Sequence, residues 1–174
     1  MYPATIDSAL GTLVFDRAHK TELDVVMEIL DEAAVWLSAK GIRQWLSPPP
    51  KSIWDLVEKE IEKSHVFLVR TQVDNYSVGT FRLTWREPEL WNDTNAAGYV
   101  CSLATRTHVK GYGVGATILN WVKGYIKSNN RKYLRLDCIA TNPVIRQYYE
   151  TLGFSYLGQV SQDGYTLALY ELAL

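Results

Sequence analysis

The stretch from Val109 to Val122, VKGYGVGATILNWV, sets Gly111, Gly113 and Gly115 in alternation and runs straight into an apolar pattern of helical spacing. Glycines let a backbone turn tightly with its N–H groups converging on an anion, and a helix start points its positive end at the same place. Such a loop holds phosphates without needing many basic side chains. Gly111, Gly113 and Ala116 satisfy the G-x-G-x-x-G/A dinucleotide fingerprint, and Asp137 follows about 20 to 25 residues later, as that motif asks. The same residues also suit the diphosphate of coenzyme A. A glycine-rich turn without a ligand is the plain structural alternative.

The elements that must position this loop decide between the two diphosphates. Thr12 to Phe15 reads as a first strand. Thr21 with Asp24 then forms a box-like helix start, followed by Leu23, Val26, Met27, Leu30, Ala33, Ala34 and Leu37 on one face, with Gly41 as the stop. After a loop stiffened by Pro48, Pro49 and Pro50, Ser52 with Asp55 opens a second helix whose Ile53, Leu56, Val57 and Ile61 share a face. HVFLVRTQ and SVGTFRLTW read as a hairpin, REPELWNDTN as a polar loop and AGYVCSLAT as the strand before the glycines. A helix with Ile118, Leu119, Trp121, Val122, Tyr125 and Ile126 inward follows, then the strand KYLRLDCIA. Asn142 caps a helix with Pro143 at its first position and Gly153 at its end, and two strands flank the turn SQDG.

The order is β-α-α-β-β-β-α-β-α-β-β, a mixed α/β chain. A dinucleotide loop directly follows the first buried strand of its domain, and several βα units come after it. Here the loop comes late, the residues before it (RTHVKG) are polar, and too little chain remains for those units. The dinucleotide match is an accident of spacing, and no Gly-Lys-Ser/Thr supports a Walker loop.

The chain has 174 residues, 47% of them apolar and 21% charged, with a net charge of −1. That balance fits one soluble globular domain spanning 1–174 and disfavours nucleic acid and acidic membrane surfaces as partners. Cys101 and Cys138 form no C-x-x-C and sit in apolar runs, so buried free thiols are expected, with neither a disulfide framework nor zinc. His19, His65 and His108 have no ligand spacing, and no metal is expected. No window approaches the roughly 18 consecutive apolar residues of a membrane span. The opening MYPATIDSALG lacks a basic start and apolar block, so the expected location is cytoplasmic.

Two segments together resemble the GCN5-related N-acetyltransferase (GNAT) family. KGYGVGA is similar to its acetyl-CoA loop, Arg/Gln-x-x-Gly-x-Gly/Ala, with Gly113 and Gly115 in the required places and Lys110 for the usual Arg or Gln. NPVIRQYYETLGF is similar to its Asn-x-x-Ala-x-x-Leu-Tyr-Glu-x-x-Gly-Phe segment through Asn142, Tyr149, Glu150, Gly153 and Phe154, with Ile145 where Ala is common. The resemblance implies a single GNAT-like α/β domain, with a central mixed, mostly antiparallel sheet splayed between two parallel strands and flanked by helices. The strand ending at Leu103, Ala104 and Thr105 would splay from YLRLDCIA and pair with the pantetheine arm of acetyl-CoA. Lys110, Gly111, Tyr112, Gly113, Val114, Gly115 and Ala116 would hold the diphosphate, with Asn142 and Tyr149 completing the cofactor site.

The implied activity is direct acetyl transfer to a primary amine of a small-molecule or peptide acceptor, by a monomer or homodimer. Backbone N–H groups of the splayed strand would stabilise the oxyanion, and Tyr149 would protonate the departing thiolate. Packing at the base of its helix is the structural alternative for Tyr149, and Tyr148 is its neighbour. Some relatives carry a base glutamate on the strand before the loop, where this chain has Ala97 and Gly98. Glu87, Glu89, Asp93 and Asp137 remain candidates beside solvated or sheet-bonded carboxylates, and a catalytically silent acyl-CoA-binding module is the reading from a different class. A covalent route through Cys101 lacks a sign of a depressed thiol pKa. Trp36, Trp54 and Trp121 are expected in the core, and Trp45, Trp85 and Trp91 along the acceptor site or on the surface.

Overall fold

The computed structural model describes residues 4–87, 89–91 and 96–174. Strand β1 (Thr5–Ser8) precedes the first expected strand, β2 (Gly11–Arg17). The two form a hairpin closed at Ser8, whose hydroxyl donates to the Gly11 carbonyl at 2.7 Å. Helix α1 (Leu23–Ala39) enters through a short 3-10 turn. There the Glu22 carboxylate accepts the His19 N–H at 2.9 Å, so the start lies at His19 and Glu22 rather than at Thr21 and Asp24. Gly41, at φ 75°, closes the helix by donating to the Ser38 carbonyl at 2.9 Å. Helix α2 (Lys51–Glu62) begins directly after Pro50, whose carbonyl accepts the Ile53 N–H at 2.9 Å, and not at the Ser52–Asp55 box.

Strands β3 (Val66–Thr71), β4 (Ser77–Thr84) and β5 (Ala97–Thr105) lead into helix α3 (Val114–Ser128). Strand β6 (Tyr133–Ile139), helix α4 (Pro143–Thr151) and strands β7 (Ser155–Gln162) and β8 (Tyr165–Ala173) complete the chain. Among the described residues, eight strands run in the order β1-β2-β3-β4-β5-β6-β8-β7. Of the registered pairs, β5–β6 is parallel, from Ala97 opposite Tyr133 to Val100 opposite Leu136, and the others are antiparallel.

The chain divides into two compact units, the boundaries falling within β5 and within α3. The first holds residues 1–83 and 102–121. One face of its strands buries Val66, Leu68 and Ala104 under Val26, Leu30 and Ala33 of α1 and Ile61 of α2. The alternate residues build an aromatic stack, with Phe15 on Trp121 at 4.3 Å and Phe67 on Phe81 at 5.0 Å. That alternation is the period of two expected of a strand covered on both faces. The second unit holds residues 84–101 and 122–174. It buries Leu134, Leu136, Cys138, Tyr170 and Ile126, beside a smaller cluster of Trp91, Ala97 and Tyr99. Among the described residues, no helix is long and apolar enough to cross a membrane.

Candidate active site

In the first unit the chain leaves β5 through a turn fixed by charge. Glu32 of α1 accepts both the backbone N–H and the hydroxyl of Thr107 at 2.5 Å, and its other oxygen accepts from Arg106 at 3.1 Å. The Arg106 guanidinium also donates to Glu28 at 3.2 Å and to the Ser77 carbonyl at 3.2 Å. Burial would raise the Glu32 carboxyl pKa, but the bonds from Thr107 and the Arg106 charge bring it below the usual range. This network roots the glycine loop on the helix opposite. The sequence reading missed it, because its partners lie more than 70 residues apart, between Glu32 and Thr107 at |i−j| = 75.

The loop itself needs glycine for conformation rather than for space. Gly111 and Gly113 sit at φ 88° and 71°, and a Cβ at either position would meet nothing within 4 Å. Buried Val114 seats the helix start, and the Gly113 carbonyl accepts the Thr117 N–H at 2.9 Å. The N–H groups of a helix's first turn have no partner within the helix. Gly111 and Gly113 are exposed at the positions where the family resemblance expects the diphosphate. Tyr112 stands half exposed in the loop. The Lys110 ammonium lies 4.2 Å from the ring centre of Trp36, which also carries Lys40 at 4.8 Å. Burial lowers the Lys110 pKa, the Lys40 charge adds to that and Glu32 opposes it. Trp36, expected in the core, is therefore a half-buried platform for two cations.

Leu103, Ala104 and Thr105 precede the loop on β5 in the same unit. A Cβ at Gly79 of β4 would come within 3.1 Å of the Ala104 carbonyl and 3.2 Å of Ile118, so β4 and β5 approach closely beneath α3. Ser102 adopts φ 52°, an uncommon conformation for a residue with a side chain.

In the second unit, Asn142 and Tyr149 lie on one helix. Asn142 is buried and caps α4, accepting the Ile145 N–H at 3.3 Å, as its place before Pro143 predicts. Tyr149 is buried among Tyr148, Phe154 and Tyr170, with ring centres at 5.7, 5.7 and 5.9 Å. Burial, reinforced by Cys138 and Asp137, raises its hydroxyl pKa well above the usual phenol value. Burial first, then Asp137, pushes the Cys138 thiol up to about 12, so it is a packed thiol and no nucleophile.

The candidate bases fare unequally. At Gly98 a Cβ would lie 2.7 Å from Ile126 and 3.1 Å from Trp85, and Ala97 is fully buried. A side chain at Gly98 would have to push Ile126 aside. Glu87 accepts from the Thr84 hydroxyl at 3.0 Å and Glu89 from Gln162 at 3.2 Å, while Asp93 lies outside the described residues. Trp91, expected along the acceptor site or on the surface, is buried beneath Arg135 at 4.9 Å. Trp85 stacks on Tyr125 at 6.2 Å.

A cavity of about 70 Å³ opens on the α1 and α2 face of the first unit, lined chiefly by aliphatic side chains. The sequence reading missed it together with Glu60, which is buried on its wall. The signal was present, since Glu60 stands at i+3 and i+4 from Val57 and Leu56 on the apolar face of α2. Burial alone would raise the Glu60 pKa. Bonds from Lys63 at 2.8 Å and His65 at 2.9 Å, and the Arg82 charge, bring it down to about 2. Among the described residues, no group of His, Cys, Asp and Glu is placed to hold a metal ion.

Comparison with known proteins converges on one family. The family model described as "Acetyltransferase (GNAT) family" matches residues 28–154. A Bacillus subtilis (strain 168) protein named "Uncharacterized N-acetyltransferase YesJ" is 26% identical over 155 residues, 87% of this chain and 86% of its own length. Among solved structures, a GNAT-family acetyltransferase from Listeria monocytogenes 4b F2365 is similar at TM-score 0.79 and 21% identity, covering 98% of this chain and 99% of that one. The Salmonella typhimurium protein yncA, solved with its cofactor acetyl-CoA, is similar at TM-score 0.67 and 14% identity, covering 92% of this chain and 93% of its own.

Proposed function

The chain belongs to the GNAT acetyltransferase family, and from that premise we propose that residues 1–174 form one acetyl-CoA-dependent N-acetyltransferase domain acting by direct transfer on a primary amine. The observation that carries this reading is the glycine loop. Two left-handed glycines lead into the N-terminus of α3, and the Glu32 network anchors the root of the loop. A diphosphate meets backbone N–H groups there, and Lys110 supplies a cation beside them.

The thioester supplies the acyl group, and the chain's own residues position the amine and manage protons. Holding both reactants in line removes much of the entropic barrier. Backbone N–H groups of the Leu103–Thr105 segment are the donors assigned to the oxyanion. Tyr149 is the assigned general acid: its hydroxyl carries the proton to donate to the departing sulfur, although burial raises its pKa and makes it a weaker acid. A carboxylate at Gly98 would have to displace Ile126, which leaves Glu87, Glu89 and Asp137 as the candidate bases among the described residues. The same crowding favours the second reading, an acyl-CoA-binding module without turnover. Thiol release measured across a panel of primary amines separates the two. Turnover on any amine supports the enzyme, and acetyl-CoA binding without turnover on every amine leaves the silent module.

A further inference from the structure

Glu28, Glu32, Trp36 and Lys40 follow one another at intervals of four, so they form one stripe along α1 and its C-terminal end. Contacts root this stripe on the chain that leaves β5. Glu28 and Glu32 accept from Arg106, and Glu32 also accepts from Thr107. One turn further on, the Trp36 ring takes the Lys110 ammonium at 4.2 Å from its centre, and that of Lys40 at 4.8 Å. Laid end to end, those distances keep the two ammonium groups within about 9 Å of each other.

The two halves of the stripe differ in charge balance. Arg106 meets two carboxylates. Among the described residues, no carboxylate makes an ion pair with Lys40 or Lys110. An indole face attracts both cations through its quadrupole and neutralises neither. The two ammonium groups repel each other, and Lys110 is half-buried as well. Glu32 offsets part of this, but both of its oxygens already accept from Thr107 and Arg106. The backbone fixes where both lysines stand. The Lys40 N–H donates to the Leu37 carbonyl at 3.0 Å, and the Lys110 N–H to the Thr107 carbonyl at 3.1 Å. A cation at a helix C-terminus is favourable in itself, which accounts for Lys40. It does not account for a second, half-buried cation on the same ring.

Resting on the reading of Lys110–Ala116 as a coenzyme A loop, we propose that Trp36 is a positioning residue for the cofactor, its ring holding Lys110 and Lys40 as paired cations for the diphosphate. Lys110 comes from the loop itself, and Lys40 is a second cation supplied by the end of α1. A diphosphate diester carries one negative charge on each phosphate, so each ammonium has one to meet. An aromatic face suits this task better than a carboxylate would, because it orders a cation without cancelling its charge.

Calorimetric titration with CoA and with dephospho-CoA tests this without an acceptor amine. Lys40→Met is expected to weaken both ligands alike, by about tenfold, the range of a hydrogen bond to a charged group. Trp36→Leu is expected to weaken both by about fivefold, and Trp36→Phe, which keeps an aromatic face, by less. These losses should shrink in about 1 M salt, where the Debye length is about 3 Å, whereas a loss of packing would not respond. With Lys40→Met and Lys110→Met already in place, Trp36→Leu should cost little more, because it acts through the lysines. Lys40 is exposed, so its variant carries the test if Trp36→Leu does not fold. Unchanged affinity in Lys40→Met, a loss that salt leaves intact, or an equal Trp36→Leu loss without the lysines overturns the proposal. So does a loss confined to CoA, which would put the cations on its 3′-phosphate. If the wild type binds neither ligand, the cofactor reading fails. Titration with inorganic pyrophosphate then decides alone: binding weakened by Lys40→Met supports the paired cations, and no binding, or binding unmoved by that change, refutes them.

Discussion

The glycine loop and helix α4 carry the two motifs of this family, and they are held by opposite means. The loop hangs from charge: Glu32 grips Arg106 and Thr107 at its root, and its glycines lie exposed. Helix α4 is held by rings, with Tyr149 enclosed by Tyr148, Phe154 and Tyr170. The polar contact there is peripheral, a bond from Arg146 to the Tyr170 hydroxyl at 3.1 Å, which itself donates to Glu150 at 2.8 Å. The difference follows from the assigned tasks. A loop that meets a multiply charged ligand must keep its N–H groups open and take its rigidity from outside the site. Rings packed round a hydroxyl keep it un-ionised, and the same burial makes it a weaker acid.

The sharpest break in this comparison is expected at Tyr149. Tyr149→Phe should lower kcat by about 100-fold or more, the usual scale of general acid catalysis, while acetyl-CoA affinity stays within about twofold. Steady-state kinetics beside equilibrium binding checks this, and unchanged turnover would reduce Tyr149 to packing.

Stability against pH should divide the two chemistries next. The Glu60 carboxyl falls from an ordinary 4.5 to about 2 in the folded chain. Its contribution is therefore complete above the unfolded value and is lost as pH drops through 4.5 toward 2, by up to about 3 kcal/mol. Tyr149 has a raised pKa, so its contribution holds below the ordinary phenol value and is lost as pH rises through about 10. Urea unfolding of the wild type and of Glu60→Gln across pH should show the acid limb flattened in the variant and the alkaline limb retained.

At the loop, Gly113→Ala forces a side chain into φ 71°, a strain of about 1–2 kcal/mol, so acetyl-CoA affinity should fall by roughly tenfold. Because a Cβ there meets no neighbour, the loss is conformational, and restoration by a residue tolerant of the left-handed region, as in Gly113→Asn, should be partial. Smallest is Glu32→Gln, which keeps hydrogen bonding to Thr107 but removes the charge facing Arg106. A loss of about 1 kcal/mol in loop anchoring should weaken acetyl-CoA binding several-fold in calorimetry, with kcat little changed.

Much of this was written in local spacing. The three glycines, the Asn142–Pro143 start and the Gly153 stop are signals within a few residues, and the helices and strands follow them. Strand β1 escaped because Thr5-Ile6-Asp7-Ser8 has one apolar residue and its pairing partner lies in the next strand. The helix starts shifted because His19 and Pro50 satisfy the first turns before the expected boxes are reached. Trp36 and Trp91 exchanged roles for a reason spacing does not carry. Trp36 is covered by Lys40 and Lys110, while Trp91 is buried under Arg135, which Glu171 holds at 2.7 Å. The Glu60–Arg82 pair likewise joins α2 to β4 across the fold, and nothing local announces it.

The crowding at Gly98 bears on how this protein can change. A carboxylate introduced there must displace the Ile126 side chain, 2.7 Å from its first carbon, and press on Trp85 at 3.1 Å. Ile126 must move or shrink to make that room, and it is fully buried, so shrinking it alone leaves a hole in a packed interior. A carboxylate at Gly98 therefore carries a stability cost that a change at Ile126 would have to offset. The neighbours of that position make the path costly, so changes in how the amine loses its proton are reached more cheaply elsewhere in the chain.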